Sequence, residues 1–122
     1  MPFEEEELTA KMLECVIKVH QILSPGFLEH IYRNVLVIEL MKNGLSVDCE
    51  KQVKVFYSDQ EIGKHRLDLF IQNKIVVELK TADSVHPKYY AQLKSCLRAA
   101  NRHIGLLVNF ASAKAEFRRV EI

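Results

Sequence analysis

The sequence predicts an α/β fold: a mixed sheet flanked by helices, in the order α-α-β-β-β-α-β-β. Three observations predict it. Apolar residues recur at steps of three and four over residues 4–23 and again over 87–100. Short apolar runs of strand length lie between those stretches and after the second. A helix between two such runs is the connection strands use when they cross over within one sheet.

Each element has its own grounds. Leu8, Met12, Cys15, Val16, Val19, Ile22 and Leu23 make residues 4–23 an amphipathic helix, and the Glu4–Glu7 run complements its N-terminal dipole. Ser24-Pro25-Gly26 ends it. A second helix runs from about Phe27 to Lys42 or Asn43, with Gly44 as its stop. Phe27, Leu28, Ile31, Val35, Leu36, Ile38 and Leu40 nearly encircle it, which predicts a helix sandwiched between other elements. Leu45 to Tyr57 reads as strand, and Ser58-Asp59-Gln60 as a turn. Glu61 to Lys64 leads through Gly63, a bulge position, into a strand over Arg66–Ile71. Ile75–Lys80 is the next strand. Pro87 suits the first position of a helix, with Ser84 or Asp83 as its cap. Tyr89, Tyr90, Leu93, Cys96, Leu97 and Ala100 carry that helix to Asn101-Arg102. Ile104–Phe110 is dense enough for a central buried strand. Ala115–Ile122 is a last strand.

The 122 residues make one domain, 1–122, and 48% hydrophobic content supports a core without disulfides or a structural metal. The formal net charge of +1 argues against a large non-specific electrostatic footprint, though it leaves room for a local basic face. Cys15, Cys49 and Cys96 lack metal-ligand spacing and read as reduced thiols of a cytoplasmic protein. The acidic start does not resemble a signal peptide, and no apolar run approaches the ~20 residues of a membrane span. The five histidines show no zinc spacing and read as surface or packing residues.

The two strands around Gln72-Asn73-Lys74 hold charges that a strand interior does not favour. A three-residue loop would set Ile71 against Ile75 and Asp68 against Glu78, with Lys80 on the same face and Arg66 opposite it. Two adjacent carboxylates repel unless a cation intervenes. Lys80 would serve as a structural ion pair. Alternatively Mg²⁺ or Mn²⁺ would serve, with Lys80 left to orient or deprotonate a water. Strand logic leaves the two readings level. Glu29, in the first turn of the second helix, reads locally as a dipole-complementing residue paired with Arg33.

The pattern Asp68-x9-Glu78-Leu79-Lys80 resembles the PD-(D/E)xK nuclease superfamily, whose fold is restriction-endonuclease-like. Leu67 stands where many members have proline. Gly26-Phe-Leu-Glu29-His-Ile-Tyr32 is similar to the signature of the prokaryotic GxxExxY family within it. Val19-His20, Arg66-Leu-Asp-Leu, Ala91-Gln92-Leu93 and Gly105-Leu-Leu-Val-Asn-Phe110 also look like that family. The resemblance implies a nuclease that hydrolyses phosphodiester bonds, with DNA as its partner. It implies Asp68, Glu78 and Lys80 as catalytic residues, and Glu29, Asp68 and Glu78 as ligands of Mg²⁺ or Mn²⁺. Gln92 would contact substrate, by its match to a glutamine of RecB-like members. Those members often carry a tyrosine where this chain has Cys96. Arg66, read from its place in the strand, would meet a scissile phosphate if it sits beside Lys80, or equally form a salt bridge to Asp68 or Glu78. Small nucleases of this fold often dimerise, so a homodimer is a further expectation. The competing readings are a non-catalytic module that keeps the nuclease fold, which the low net charge favours, and a purely structural ion-pair cluster.

Overall fold

The structure, a computed structural model, describes residues 5–122. It contains α1 (Glu6–Leu23), α2 (Glu29–Lys42), β1 (Val47–Tyr57), β2 (Gln60–Ile71), β3 (Ile75–Lys80), α3 (Pro87–Ala100), β4 (Ile104–Asn109) and β5 (Glu116–Glu121). The Glu4 end of the predicted first helix lies outside the described residues. The five strands form one sheet in the order β1-β2-β3-β4-β5. Only β3 and β4 pair in parallel, with α3 as the crossover between them. The other neighbours are antiparallel.

Two apolar clusters hold the layers together. On one face, Met12, Val16 and Val19 of α1 and Tyr32, Leu36 and Leu40 of α2 pack on Leu69, Ile71, Ile75, Val77, Leu79, Leu106 and Val108. On the other, Leu93, Cys96 and Leu97 of α3 pack on Leu67, Phe70, Val76, Leu107 and Val120. β3 and β4 are covered on both faces and buried almost throughout, as a parallel pair requires.

Three local expectations are corrected. Helix α2 is not sandwiched: Ile38 and Met41 are more than half exposed, and the buried residues are Tyr32, Leu36, Glu39 and Leu40. Its far side meets water, and Lys18 of α1 neutralises the buried Glu39 at 3.0 Å. The cap of α3 is His86, not Ser84 or Asp83; its Nδ1 accepts from the Lys88 amide at 3.0 Å. Finally, Glu61–Lys64 is not a lead-in but part of one long β2. Ser58 and Asp59 both take left-handed φ (49° and 63°), the conformation of a two-residue hairpin turn, so Gln60 already pairs with Tyr57. The bulge expected near Gly63 falls beside it, where the register shifts between Val55 and Phe56.

Gly105 fixes how closely α3 approaches the sheet. A Cβ there would lie 2.9–3.1 Å from three side-chain carbons of Leu93, which is fully buried and has no room to withdraw. We predict that Gly105→Ala lowers stability by about 1–3 kcal/mol through overpacking, and that Leu93→Val recovers part of the loss. Thermal melts of the single and double variants test this.

Candidate active site

The site forms where the sheet comes apart. The β2–β3 ladder runs through Ile71/Ile75, Phe70/Val76 and Leu69/Val77 and stops there. The loop has the three residues expected, with Gln72 and Asn73 in left-handed conformation and the Lys74 amide bonded to the Ile71 carbonyl at 2.9 Å. The next rung would join Asp68 to Glu78. Instead Asp68 Oδ2 accepts directly from the Leu79 amide at 2.9 Å. On the other side of β2 the β1 ladder omits its rung at Glu50, which takes a left-handed φ of 51°. Alternation therefore breaks at Asp68. Leu67, which strict alternation would set on the same face as Leu69 and Ile71, packs into the α3-side cluster.

Asp68 and Glu78 are both buried, at 4% and 8% exposure. The Glu78 carboxylate receives the Cys96 thiol at 3.8 Å and lies 3.9 Å from Lys80 Nζ. Burial, then the Asp68 carboxylate, then that of Glu29 push Glu78 up to about 7, with Lys80 opposing them. Burial and the neighbouring Glu78 push the Cys96 thiol up to about 12, which keeps it a neutral donor. Lys80 itself sits over the Tyr89 ring, 4.7 Å from its centroid. Asp68 Oδ1 lies 3.6 Å from Arg66, which also meets Glu50 at 3.8 Å. Glu50 in turn holds Arg33 at 3.0 Å. Arg33 is thus paired with Glu50 rather than with Glu29.

Glu29 enters from α2. The chain reaches it through Gly26, whose φ of 122° favours glycine. Tyr32 ties that turn down: its hydroxyl donates to the Ser24 carbonyl at 2.5 Å and accepts from the Phe27 amide at 3.2 Å. Its ring stacks on Phe110 at 4.6 Å. His20 stacks more loosely on the same Phe110, and its Nε2 bonds the Ser112 carbonyl at 2.8 Å. Within the Gly26–Tyr32 stretch, the glycine makes the turn, the glutamate supplies charge to the site and the tyrosine braces both. Burial and the Asp68 carboxylate raise the Glu29 pKa, with Lys80, Arg33 and Arg66 opposing. Glu29, Asp68 and Glu78 therefore share one electrostatic neighbourhood.

Other predicted residues fare differently. The ladder stops before any rung between Arg66 and Lys80; Arg66 turns to Asp68 and Glu50. Gln92 is exposed on α3, and its side chain makes no hydrogen bond among the described residues. Sequence reasoning did not single out Asn109. Its amide bonds both the carbonyl (2.8 Å) and the N–H (3.1 Å) of Ala82, two residues past Lys80. An asparagine ending an otherwise apolar run was the signal.

Among the described residues, no three His, Cys, Asp or Glu side chains are grouped tightly enough to hold a metal ion. The donor chemistry nonetheless fits a hard divalent cation. The Asp68 carboxylate raises the pKa of both Glu78 and Glu29, a repulsion that a positive charge between them relieves, and Mg²⁺ needs few protein oxygens because it keeps several waters.

A family model for the PD-(D/E)XK nuclease superfamily matches residues 6–120. The chain belongs to this superfamily. Among solved structures, it is similar to SSO0001 at a TM-score of 0.62 and 22% identity, covering 96% of this chain and 59% of that one. It is also similar to an alkaline exonuclease (LHK-Exo) from Laribacter hongkongensis, at a TM-score of 0.53 and 11% identity, covering 97% and 82%. At these identities the likeness shows the fold, and the chain spans only about three fifths of SSO0001. No curated protein matches it. As a PD-(D/E)XK nuclease fold, the sheet and its flanking helices are the restriction-endonuclease-like architecture expected from sequence.

The raised Glu78 pKa gives a signed pH dependence. The folded state keeps the proton up to about pH 7, while an ordinary glutamate loses it near 4.5. This group's contribution to stability is therefore full below 4.5 and is lost as pH rises through 7. The loss is on the order of 3 kcal/mol. In metal-free buffer, the melting temperature of wild type should fall across this window relative to Glu78→Gln, which has no proton to lose there. Parallel curves for the two proteins would contradict the assignment.

Proposed function

We propose that this protein is a divalent-metal-dependent nuclease of the GxxExxY branch, hydrolysing phosphodiester bonds of DNA. One observation carries the reading: two buried carboxylates, on strands whose ladder ends beside them, share a neighbourhood with a third carboxylate and a lysine. Buried like charges are costly to fold around. A site built to receive a cation accounts for that cost; a structural ion pair between Lys80 and Glu78, at 3.9 Å, accounts for it poorly.

In this reading Asp68 and Glu78 hold Mg²⁺ or Mn²⁺, with Glu29 drawn in from α2 as a further oxygen donor. When bound, the ion supplies charge to stabilise the pentacoordinate phosphorus and its leaving oxygen. Lys80 orients the attacking water and takes part in moving its proton. Tyr89 under the ammonium and Asn109 on the following segment hold Lys80 in place. Arg66, more than half exposed beside Asp68, meets a non-bridging phosphate oxygen. Gln92, on the exposed side of α3, meets the substrate further out. The Leu79 amide holds Asp68 in its orientation. The thiols, buried at Cys15 and Cys96, suit a cytoplasmic protein, and no helix of the described residues is long and apolar enough to cross a membrane.

The second reading, a fold-retaining binding module, keeps the cation and loses the reaction. The two part in one experiment. Millimolar Mn²⁺ should raise the melting temperature of wild type and of Lys80→Ala, but not of Asp68→Ala or Glu78→Gln. Wild type should nick plasmid or shorten oligonucleotides, and Lys80→Ala should lose at least ~100-fold in rate. Stabilisation without cleavage by wild type would select the binding module. Neither stabilisation nor cleavage would leave only the structural ion pair.

A further inference from the structure

A second feature lies beside the carboxylates. Lys54, Val55 and Phe56 of β1, His65 of β2 and Ser95, Arg98 and Ala99 of α3 line a groove of about 410 Å³. The long β1–β2 hairpin forms one wall and α3 the other. Both walls also reach the site. On β2, His65 stands three residues before Asp68, about 10 Å along an extended strand. On α3, Ser95 and Arg98 flank Cys96, whose thiol touches Glu78.

The groove's charge is not spent internally. Helix α3 carries Lys88, Lys94 and Arg98 and no acidic residue. Arg98 makes no ion pair among the described residues. Lys54 meets only Glu61, at 4.0 Å and with both side chains open to water, an arrangement that contributes little. At the rim Phe56 is 59% exposed, a planar apolar face beside two cations. Cations flanking an exposed aromatic ring suit a nucleic-acid strand, with phosphates on the charges and a base on the ring.

We propose that this groove binds the sugar-phosphate backbone of the nucleic acid away from the reacting phosphate, with Lys54 and Arg98 each neutralising one phosphate. The proposal rests on the reading of the chain as a nucleic-acid enzyme. The groove and the carboxylates share β2 and α3, so one bound strand could lie along both. The groove gives a chain of low net charge a local binding face.

The test is binding without turnover. Fluorescence anisotropy of a labelled single strand of about 12 nucleotides, within the range of one small binding site, is measured in EDTA over a range of salt. Relative to wild type, Lys54→Ala/Arg98→Ala should bind at least about fivefold more weakly at low salt. The slope of log affinity against log salt should flatten by about 1.4, since each lost phosphate contact on a single strand removes about 0.7. Lys54→Arg/Arg98→Lys should restore the slope. Lys11→Ala/Lys42→Ala, on the α1 and α2 side, should leave it unchanged. An unchanged slope in the double alanine variant overturns the groove, as does a wild type that does not bind the strand. Because no metal or cleavage enters the measurement, a flattened slope supports the groove even if the nuclease reading fails, and active cleavage with an unchanged slope removes the groove alone.

Discussion

One hydrogen bond organises this molecule: the Leu79 amide to the Asp68 carboxylate, at 2.9 Å. A sheet satisfies its amides with carbonyls from the neighbouring strand. Here a side chain takes the carbonyl's place. The ladder can then end after Leu69/Val77 without stranding a buried donor, and β2 is free to diverge. Past that point Glu78 meets Lys80, and Arg66 turns to Asp68 and Glu50. Leu67 turns toward α3, where it helps seal the second core. The carboxylate thus has a structural part as well as its proposed chemical one, and one oxygen is committed to each: Oδ2 to the backbone, Oδ1 outward toward Arg66.

Around that bond the fold is a set of braces on short lever arms. Asn109 ties the segment after β3 to the end of β4 through both polar atoms of its amide. Tyr32 and His20 both stack against Phe110, the residue immediately following β4, and so fix the turn that delivers Glu29. Glu50 bridges Arg33 of α2 and Arg66 of β2, joining helix and strand on the rim. Charges near the site are linked in a network, so the protonation of Glu78 and of Glu29 is set by several neighbours rather than by one partner.

Much of this was legible in the sequence where short-range rules decide. The period of apolar residues gave the elements and their order, and the odd loop at Gln72-Asn73-Lys74 gave the register that brings Asp68 toward Glu78. Both depend on local geometry. The failures share a different cause. Leu67 changed sides because a side chain replaced a rung, which no alternation rule contains. Helix α2 looked encircled because Ile31 and Ile38 are apolar, yet burial is decided by what lies opposite, and Ile38 is more than half exposed among the described residues. His86 won the cap because its ring nitrogen reaches the Lys88 amide past Pro87. Asn109 went unremarked because its partner is 27 residues away in sequence.

The parallel pairing of β3 with β4 has a consequence for how the carboxylates are held. Asp68 and Glu78 lie on one hairpin, close in the chain. Glu29, Asn109 and Phe110 reach that hairpin only through contacts distant in sequence, the last two across the α3 crossover. A hairpin cut from the chain would carry both carboxylates without the residues that enclose and brace them. Their burial is thus a property of the whole fold, not of the segment that bears them.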